Sequence, residues 1–188
     1  MKVPFKPGTM IYPLPAVMVS CGNSPNNYNI ITIAWTGTIC SDPPMCYISV
    51  RPERHSHGLI EQSGEFVINL TTADLAKQTD WCGVNSGRNC NKFKLMGLHP
   101  EKAQVVSAPL IKESPLNIEC RVVEIKRLGS HDMYIANVVA VNAEDTLIDH
   151  STGQFQLNHA QPLAYSHGKY YTLGEKLGGF GFSVRKKK

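Results

Sequence analysis

The feature that most limits the fold of this chain is a series of short segments rich in β-branched and aromatic residues, with turns between them. Such segments favour β-strands, and the turn residues favour antiparallel pairing. The predicted strands are residues 16–21, 29–40, 45–50, 65–70, 116–128, 133–143 and 161–166. The segments 116–128 and 133–143 flank Gly129-Ser130-His131-Asp132, so the sequence predicts a long hairpin there.

Helical patterns are few and short. Residues 56–62 are predicted to form a helix with Ser56 as its N-cap, and residues 72–81 and 91–96 are two further candidates. A parallel βαβ fold needs alternating helices of about 10 to 15 residues, which this sequence lacks. No G-x-G-x-x-G phosphate loop follows the first strand. The sequence therefore predicts a mainly β fold, an antiparallel barrel with a few peripheral helices, as a single domain over residues 1–188.

Charge and cysteine content exclude several classes of protein. The formal net charge is +4, and Arg185-Lys186-Lys187-Lys188 supplies four positive charges, so the body is near neutral. We therefore expect no nucleic-acid binding, and we interpret residues 178–188 as a flexible basic tail. The sequence has no signal peptide and no apolar run of about 18 residues, so we expect a cytoplasmic protein without a membrane span. Its six cysteines form no C-x-x-C pair, and we expect no metal site.

A candidate anion site lies between the predicted strand 45–50 and the predicted helix 56–62. The stretch 49–58, SVRPERHSHG, carries two arginines, two histidines and the candidate capping serine. A helix N-terminus offers unpaired N–H groups, and guanidinium groups add charged donors, which together suit a phosphate. An N-cap with solvated charges explains the same residues, and both interpretations stay open. His55 and His57 have no third metal ligand nearby.

Three further side chains have two interpretations each. Lys92 lies in the polar segment 85–93, which is either a solvated loop or a place where the lysine meets an anion. Trp35 lies in an apolar strand and either fills the core or forms a wall for a flat ring. His131 lies in the hairpin turn and is either solvated or hydrogen-bonded to a reducible ring, where it assists a proton transfer.

A set of short motifs runs in order along most of the chain. The motifs are Asn29-x-x-Thr32-x-Ala34-Trp35, Ser41-Asp42-Pro43-Pro44, Ile48-Ser49-Val50-Arg51, Ser56-His57-Gly58-Leu59-Ile60, Phe66-Val67-Ile68-Asn69, Ser86-Gly87-Arg88, Lys92-Phe93, Gly97-Leu98, Glu119-Cys120-Arg121 and Gly129-Ser130-His131. By their number and order, the chain resembles the flavoredoxin and flavin reductase-like family of FMN-binding split barrels. It departs from the family at Asn91, where the family has aspartate before the Lys-Phe pair.

This resemblance implies an FMN-binding split β-barrel that pairs as a homodimer, with one FMN per subunit near the interface. The residues that it places along the flavin ring and ribityl chain are Thr32, Ala34, Trp35, Ser49, Val50 and Arg51, with Asn29 in the same cofactor-binding set. Ser56 and His57 would serve the phosphate, and Lys92 and His131 would reach the flavin from the helical loop and the hairpin turn. Arg54 matches no family motif, and we take it as a further candidate for the phosphate.

The resemblance also implies a redox function, in one of two forms. The first is an NAD(P)H:flavin oxidoreductase, with His131 as its catalytic residue. The second is a flavoredoxin-type carrier that takes electrons from a redox protein without oxidising NAD(P)H directly. We favour the reductase because the Gly129-Ser130-His131 turn is typical of that branch of the family, although no NAD(P)H motif is visible. A split barrel that binds flavin without redox chemistry is a third hypothesis, which the retained Ser56, Lys92 and His131 oppose.

Overall fold

The computed structural model describes residues 1–184. Its strands are β1 (Leu14–Pro15), β2 (Val17–Cys21), β3 (Asn29–Ile33), β4 (Thr36–Ser41), β5 (Pro44–Val50), β6 (Glu65–Leu70), β7 (Pro100–Glu101), β8 (Leu110–Ile111), β9 (Leu116–Arg127), β10 (Asp132–Ala143), β11 (Ile148–Asp149), β12 (Gln154–Phe155), β13 (Leu163–Ser166) and β14 (Lys169–Thr172). Its α-helices are α1 (His55–Ser63), α2 (Ala76–Val84) and α3 (Lys92–Met96), and its 3₁₀ helices are Ala73–Leu75, Asp145–Leu147, Leu157–Ala160 and Phe182–Val184.

Seven strands form one antiparallel sheet in the order β3-β2-β6-β9-β10-β5-β4. Along β5 the side chains of Cys46, Ile48 and Val50 are buried and alternate with less buried ones, as expected when one face of a strand covers a core. The pairing of β10 with β9 shifts register after Ile135 and again after Val138. Such irregularities bend a strand, so the sheet curls around its buried face. The enclosed core includes Val17, Val19, Ile31, Ile48, Phe66 and Tyr134.

The two edge strands of the sheet, β3 and β4, are consecutive in the chain and meet at a sharp corner. The backbone N–H of Thr36 donates to the carbonyl of Ala34 at 3.1 Å, which tightens this corner. The N–H of Ser49 donates to the carbonyl of Trp35 at 2.9 Å, which fixes the corner against β5. Because β3 and β4 do not pair with each other, the barrel stays open here.

The short helices cover the outer face of the sheet next to this corner. Met18 and Ile30 point outward from β2 and β3 and pack with Cys82 of α2 and Phe93 of α3 in a second apolar cluster. For this reason every residue of β2 is buried. Removing an apolar side chain of this size from water stabilises the fold by roughly 1.5–3 kcal/mol, so this cluster holds α2 and α3 in place.

The structure confirms the mainly β fold with a few peripheral helices and the hairpin, in which β9 pairs with β10 from Asp132↔Arg127 to Ala143↔Leu116. The prediction of one strand over residues 29–40 is wrong, because the chain turns at the corner after β3. The prediction of Ser56 as an N-cap is also wrong, because α1 begins at His55 and has Arg54 in the N-cap position. The predicted helix 72–81 is a 3₁₀ turn followed by α2.

Helices α1 and α2 reach nine residues each, and none of the helices within residues 1–184 could span a bilayer. Of the predicted basic tail, residues 178–184 end in the last 3₁₀ helix, and Arg185 to Lys188 lie outside the described residues.

Candidate functional site

Two adjoining cavities lie at the open corner of the barrel. The large cavity, about 620 Å³, lies among the β3–β4 corner, the end of β5, helix α2 and the β13–β14 hairpin. The small cavity, about 170 Å³, lies among the N-terminus of α1, the loop 85–88 and the start of α3. Ile31, Glu53 and Arg54 line both cavities, so the two form one elongated site.

Strand ends form one wall of the large cavity. The residues of the sequence-predicted set that line it are Thr32, Ala34, Trp35, Ser49, Val50, Arg51 and His131. Sheet register explains why they meet, because Asp132 at the start of β10 pairs with Val50 at the end of β5. The hairpin turn therefore lies beside the end of β5, and its His131 reaches the corner at Trp35.

Trp35 and His131 present nearly parallel rings to the large cavity. Their planes differ by 10° and their centroids are 6.2 Å apart, within the range of offset-stacked aromatic pairs. Burial, and to a smaller extent the Arg51 guanidinium, lowers the pKa of His131, against a weaker opposing effect of Glu53. The imidazole is therefore neutral at pH 7 and can offer one donor and one acceptor nitrogen. The hydroxyl of Ser130 lies 2.9 Å from its Nδ1.

The opposite wall of the large cavity contains aromatic residues that the sequence analysis did not identify. Tyr165 and Tyr170 of the β13–β14 hairpin line it, with ring centroids 5.6 Å apart. The hydroxyl of Tyr170 donates to Oδ1 of Asp80 at 3.3 Å. Burial, followed by the neighbouring Asp80 carboxylate, raises the pKa of Tyr170 to about 12. The aromatic residues around His167-Gly168 were a visible signal, but only the fold brings this late hairpin to the corner.

Close packing of polar residues forms the small cavity. Nδ2 of Asn29 donates to Oγ of Ser56 at 2.8 Å, and both side chains are buried. The loop 85–88 approaches so closely that a Cβ on Gly87 would lie 2.0 Å from Oδ1 of Asn29. Only glycine fits at this position without displacing Asn29. The hydroxyl proton of Ser56 remains able to donate to a ligand, since Ser56 accepts the bond from Asn29.

The small cavity is rich in positive charge. Arg54, Arg88 and Lys92 line it, and the one carboxylate among its lining residues is that of Glu53. Nζ of Lys92 donates to the carbonyls of Ile30 and Cys82, at 2.7 Å each, and its third N–H is not used in these bonds. Burial lowers the pKa of Lys92, an effect that neighbouring cysteines partly offset and Arg54 reinforces. Three cationic side chains against one carboxylate suit an anion.

The start of helix α1 adds a backbone feature and a histidine to the small cavity. No side chain caps the N-terminus of α1, and its first residues, His55 and Ser56, line the small cavity, so the partial positive charge of the helix end lies beside it. His55, which the sequence analysis assigned no role, lines the cavity. Burial, then Arg88 and Lys92, lowers the pKa of His55, as expected for an imidazole among cations.

One of the predicted phosphate residues, His57, lies outside both cavities. Its Nε2 lies 2.7 Å from Oδ2 of Asp132, on the side of α1 that faces the hairpin. Helical geometry explains this, because consecutive residues are rotated by about 100° around the axis and Ser56 already faces the cavity. Of the remaining predicted residues, Asn29, Ser56 and Lys92 line the small cavity, and Arg54 lies where the two cavities join.

Comparison with known families and proteins gives one consistent result. The model of the flavin reductase like domain matches residues 9–174. Flavoredoxin of Desulfovibrio vulgaris (Miyazaki F) is 28% identical and superimposes with a TM-score of 0.89, over 98% of this chain and 99% of that one. Flavoredoxin from Methanosarcina acetivorans is 25% identical, with a TM-score of 0.89 over 97% of each chain.

A relative with a named activity lies further away in sequence. The reductase component of a 4-nitrophenol 4-monooxygenase/4-nitrocatechol 2-monooxygenase from Rhodococcus opacus is 24% identical over 139 residues. The alignment covers 74% of this chain and 64% of that protein. The solved structures that resemble this chain include flavoredoxins and a putative flavin reductase with a split barrel domain. They agree with the split barrel that the sequence resemblance implied.

Proposed function

The chain belongs to the flavin reductase-like domain family, and from this premise we propose that it binds FMN and catalyses reduction of flavin by NAD(P)H. Family membership supports the coarser part, a flavin cofactor and a redox role. The observation that carries the finer proposal is the pair of adjoining cavities, one large with flat aromatic surfaces and one small with an excess of positive charge. A bound flavin would supply the electron-transfer chemistry, and the protein would supply binding and orientation.

The composition of the small cavity favours FMN over the other common flavins. Two more cationic side chains than carboxylates line it, which matches a phosphate monoester of charge near −2. Riboflavin has no phosphate to use these groups. A volume of about 170 Å³ gives little room for the adenosine of FAD. In this arrangement Ser56, Lys92, Arg54 and Arg88 would contact the phosphate.

The residues of the large cavity would hold the ring. Thr32, Ala34, Ser49 and Val50 would line the isoalloxazine and ribityl chain along the strand ends, and Trp35 and Arg51 would flank the opening. We assign His131 the catalytic role, because its neutral imidazole lies at the rim and can exchange a hydrogen bond or a proton with a polar ring atom. A cavity of 620 Å³ exceeds the needs of one flat ring, which leaves space for a nicotinamide beside it.

A flavoredoxin-type carrier is the second candidate function. The two flavoredoxins superimpose over nearly their whole length, which favours this alternative. In a carrier, a reduced protein donor would replace NAD(P)H, and the space beside the ring would serve the approach of that donor. The two functions share the same FMN site and differ in what delivers the electrons.

We also propose that the protein acts as a homodimer. Residues 1–11 are exposed along their whole length and include Val3, Phe5 and Ile11, and Leu177 and Phe180 near the other end are fully exposed. Apolar side chains exposed in this number favour association, and two-fold pairing is the commonest form. Light scattering of the FMN-loaded protein should give twice the mass of the chain, and a monomer would contradict the proposal.

One experiment tests cofactor and donor together. The purified protein should bind FMN with a lower Kd than riboflavin or FAD in fluorescence titrations. Anaerobic mixing with NADPH or NADH should then bleach the bound FMN within seconds. Bleaching only by a reduced redox protein, such as ferredoxin, would favour the carrier. Failure to bind any flavin would contradict both functions.

A further inference from the structure

His57 has a well-defined partner outside the two cavities. Its Nε2 lies 2.7 Å from Oδ2 of Asp132, and both residues are more than 90% buried. A buried charged hydrogen bond of this length is among the stronger side-chain contacts in a protein. It joins the first turn of α1 to the first residue of β10, two elements that each carry a part of the candidate site.

Two more charged residues complete this contact. Arg127, at the end of β9, donates from its guanidinium to Asp132 and to Glu61 of α1. Glu61 in turn lies 3.9 Å from Nδ1 of His57. We call His57, Glu61, Arg127 and Asp132 the polar bracket. Burial raises the pKa of Asp132, but the bonds from His57 and Arg127 lower it below its ordinary value overall, so Asp132 remains a carboxylate.

The surroundings of His57 leave its ring little freedom. The ring of Tyr134 meets it edge-on, with centroids 5.5 Å apart and planes at 75°. The Tyr134 hydroxyl donates to the backbone carbonyl of His57 at 3.3 Å. His57 is therefore fixed by Asp132, Glu61 and Tyr134 together, and it cannot turn toward the small cavity without breaking the bracket.

The bracket lies next in the chain to the proposed catalytic histidine. Asp132 follows His131 directly, while Leu128, Gly129 and Ser130 of the same turn are exposed. Within the turn, the N–H of Leu128 donates to the carbonyl of His131 at 3.0 Å. On its outer side the turn has little packing. The pairing of Asp132 with Val50 joins it to β5, and the contacts of Asp132 and Arg127 with His57 and Glu61 join it to α1.

We propose that His57 and Asp132 are positioning residues, which hold the hairpin turn against α1 so that His131 faces the ring bound in the large cavity. This inference rests on the proposed function for the role of His131. In this proposal His57 does not contact the phosphate; it acts through Asp132 on the position of His131, at the ring end of the site. Displacement of a reacting group by about 1 Å costs up to about a hundredfold in rate, so a lost bracket should affect turnover more than binding.

The test uses Asp132→Asn and His57→Ala in the full-length protein, with His57→Gln as the conservative variant that can still donate to Asp132. Glu124→Gln is the control, since it removes one carboxylate from an exposed position of β9. For each we would measure Kd for FMN and riboflavin, kcat and KM with NADPH, and the NMR signals of the His131 imidazole in the flavin-free protein. The NMR measurement requires no flavin or donor.

We expect Asp132→Asn and His57→Ala to shift the His131 signals and to lower kcat about tenfold, with Kd for both flavins and KM for NADPH unchanged. His57→Gln should restore most of kcat, and Glu124→Gln should resemble the wild type. A Kd that rises for FMN and not for riboflavin would overturn the proposal and return His57 to the phosphate. Unchanged His131 signals with only a lower melting temperature would also overturn it. If the wild type binds no flavin, the proposed function fails, and the NMR result still decides whether the bracket positions His131.

Discussion

The large and the small cavity adjoin, yet the protein builds them in different ways. Strand ends and the β3–β4 corner of the main sheet form one wall of the large cavity, so sheet register determines the shape of that wall. The small cavity depends on polar side chains that fix one another, such as Asn29 on Ser56, and on a glycine that allows the loop 85–88 to approach.

This difference predicts two kinds of ligand affinity at one site. The affinity that comes from shape and apolar contact in the large cavity should not change with salt and should be the same for all flavins. The affinity that comes from charge and hydrogen bonds in the small cavity should depend on the phosphate alone. Where these groups are exposed to solvent, their contribution should decrease as salt is added. Parallel titrations with FMN and with riboflavin, which lacks the phosphate, separate the two contributions.

The largest expected effect comes from Gly87→Ala. The new Cβ would lie 2.0 Å from Oδ1 of Asn29, whose side chain is buried and bonded to Ser56. Either Asn29 or the loop must move, and overpacking of this kind costs about 1–3 kcal/mol. We expect FMN affinity to fall by about 2–3 kcal/mol and riboflavin affinity to fall much less, as measured by fluorescence titration.

Gly58→Ala is the matched control for this prediction. A Cβ on Gly58 of α1 would meet no atom within 4 Å, so the substitution adds the same group to open space. It should leave both flavin affinities unchanged and stabilise α1 by up to about 1 kcal/mol. Equal losses of FMN and riboflavin in Gly87→Ala would show that the loop 85–88 serves the whole site and not the phosphate end.

The wall of the large cavity was easier to predict from the sequence than the small cavity. Thr32 and Ser49 lie on strands and Trp35 lies at the corner between two of them, and strand patterns with a turn at 129–132 are local signals. The resemblance to a family then implied which other residues lie beside them. The break after β3 was missed because residues 29–40 are uniformly rich in strand formers, and only the closure of the barrel requires a corner there.

The side-chain directions at the small cavity could not be predicted in the same way. Ser56 and His57 are adjacent, and the start of α1 one residue earlier than predicted decides which of them faces the ligand. For Lys92 the sequence left a solvated loop and an anion contact open, and in the structure two of its three N–H groups donate to the carbonyls of Ile30 and Cys82. The directions of these side chains depend on contacts between residues far apart in the chain, which a single sequence does not show.

A smaller effect should follow from Trp35→Ala, at the rim of the large cavity. The indole is 37% exposed, so its loss should change stability little. It should weaken FMN and riboflavin by the same amount, about 1–2 kcal/mol, because both share the flat ring. Trp81→Ala removes a tryptophan of α2 that packs against the second apolar cluster, and it should lower stability without this effect on binding. Selective loss of FMN alone in Trp35→Ala would contradict the division between the cavities.

The smallest expected effect is that of Arg88→Ala, on the exposed side of the small cavity. Arg88 lines the cavity from the loop 85–88 and is exposed to solvent, so its attraction to a phosphate is screened. At low ionic strength FMN affinity should fall by about 0.5–1 kcal/mol, and the loss should shrink toward zero as salt is added. Riboflavin should bind equally well to both forms at every salt concentration.

Arg121→Ala is the control, since Arg121 is an exposed arginine whose partner is Glu65 on the sheet. A loss in Arg88→Ala that salt does not reduce would mean that bound FMN excludes solvent from Arg88, and would place this residue with Ser56 in the buried part of the site.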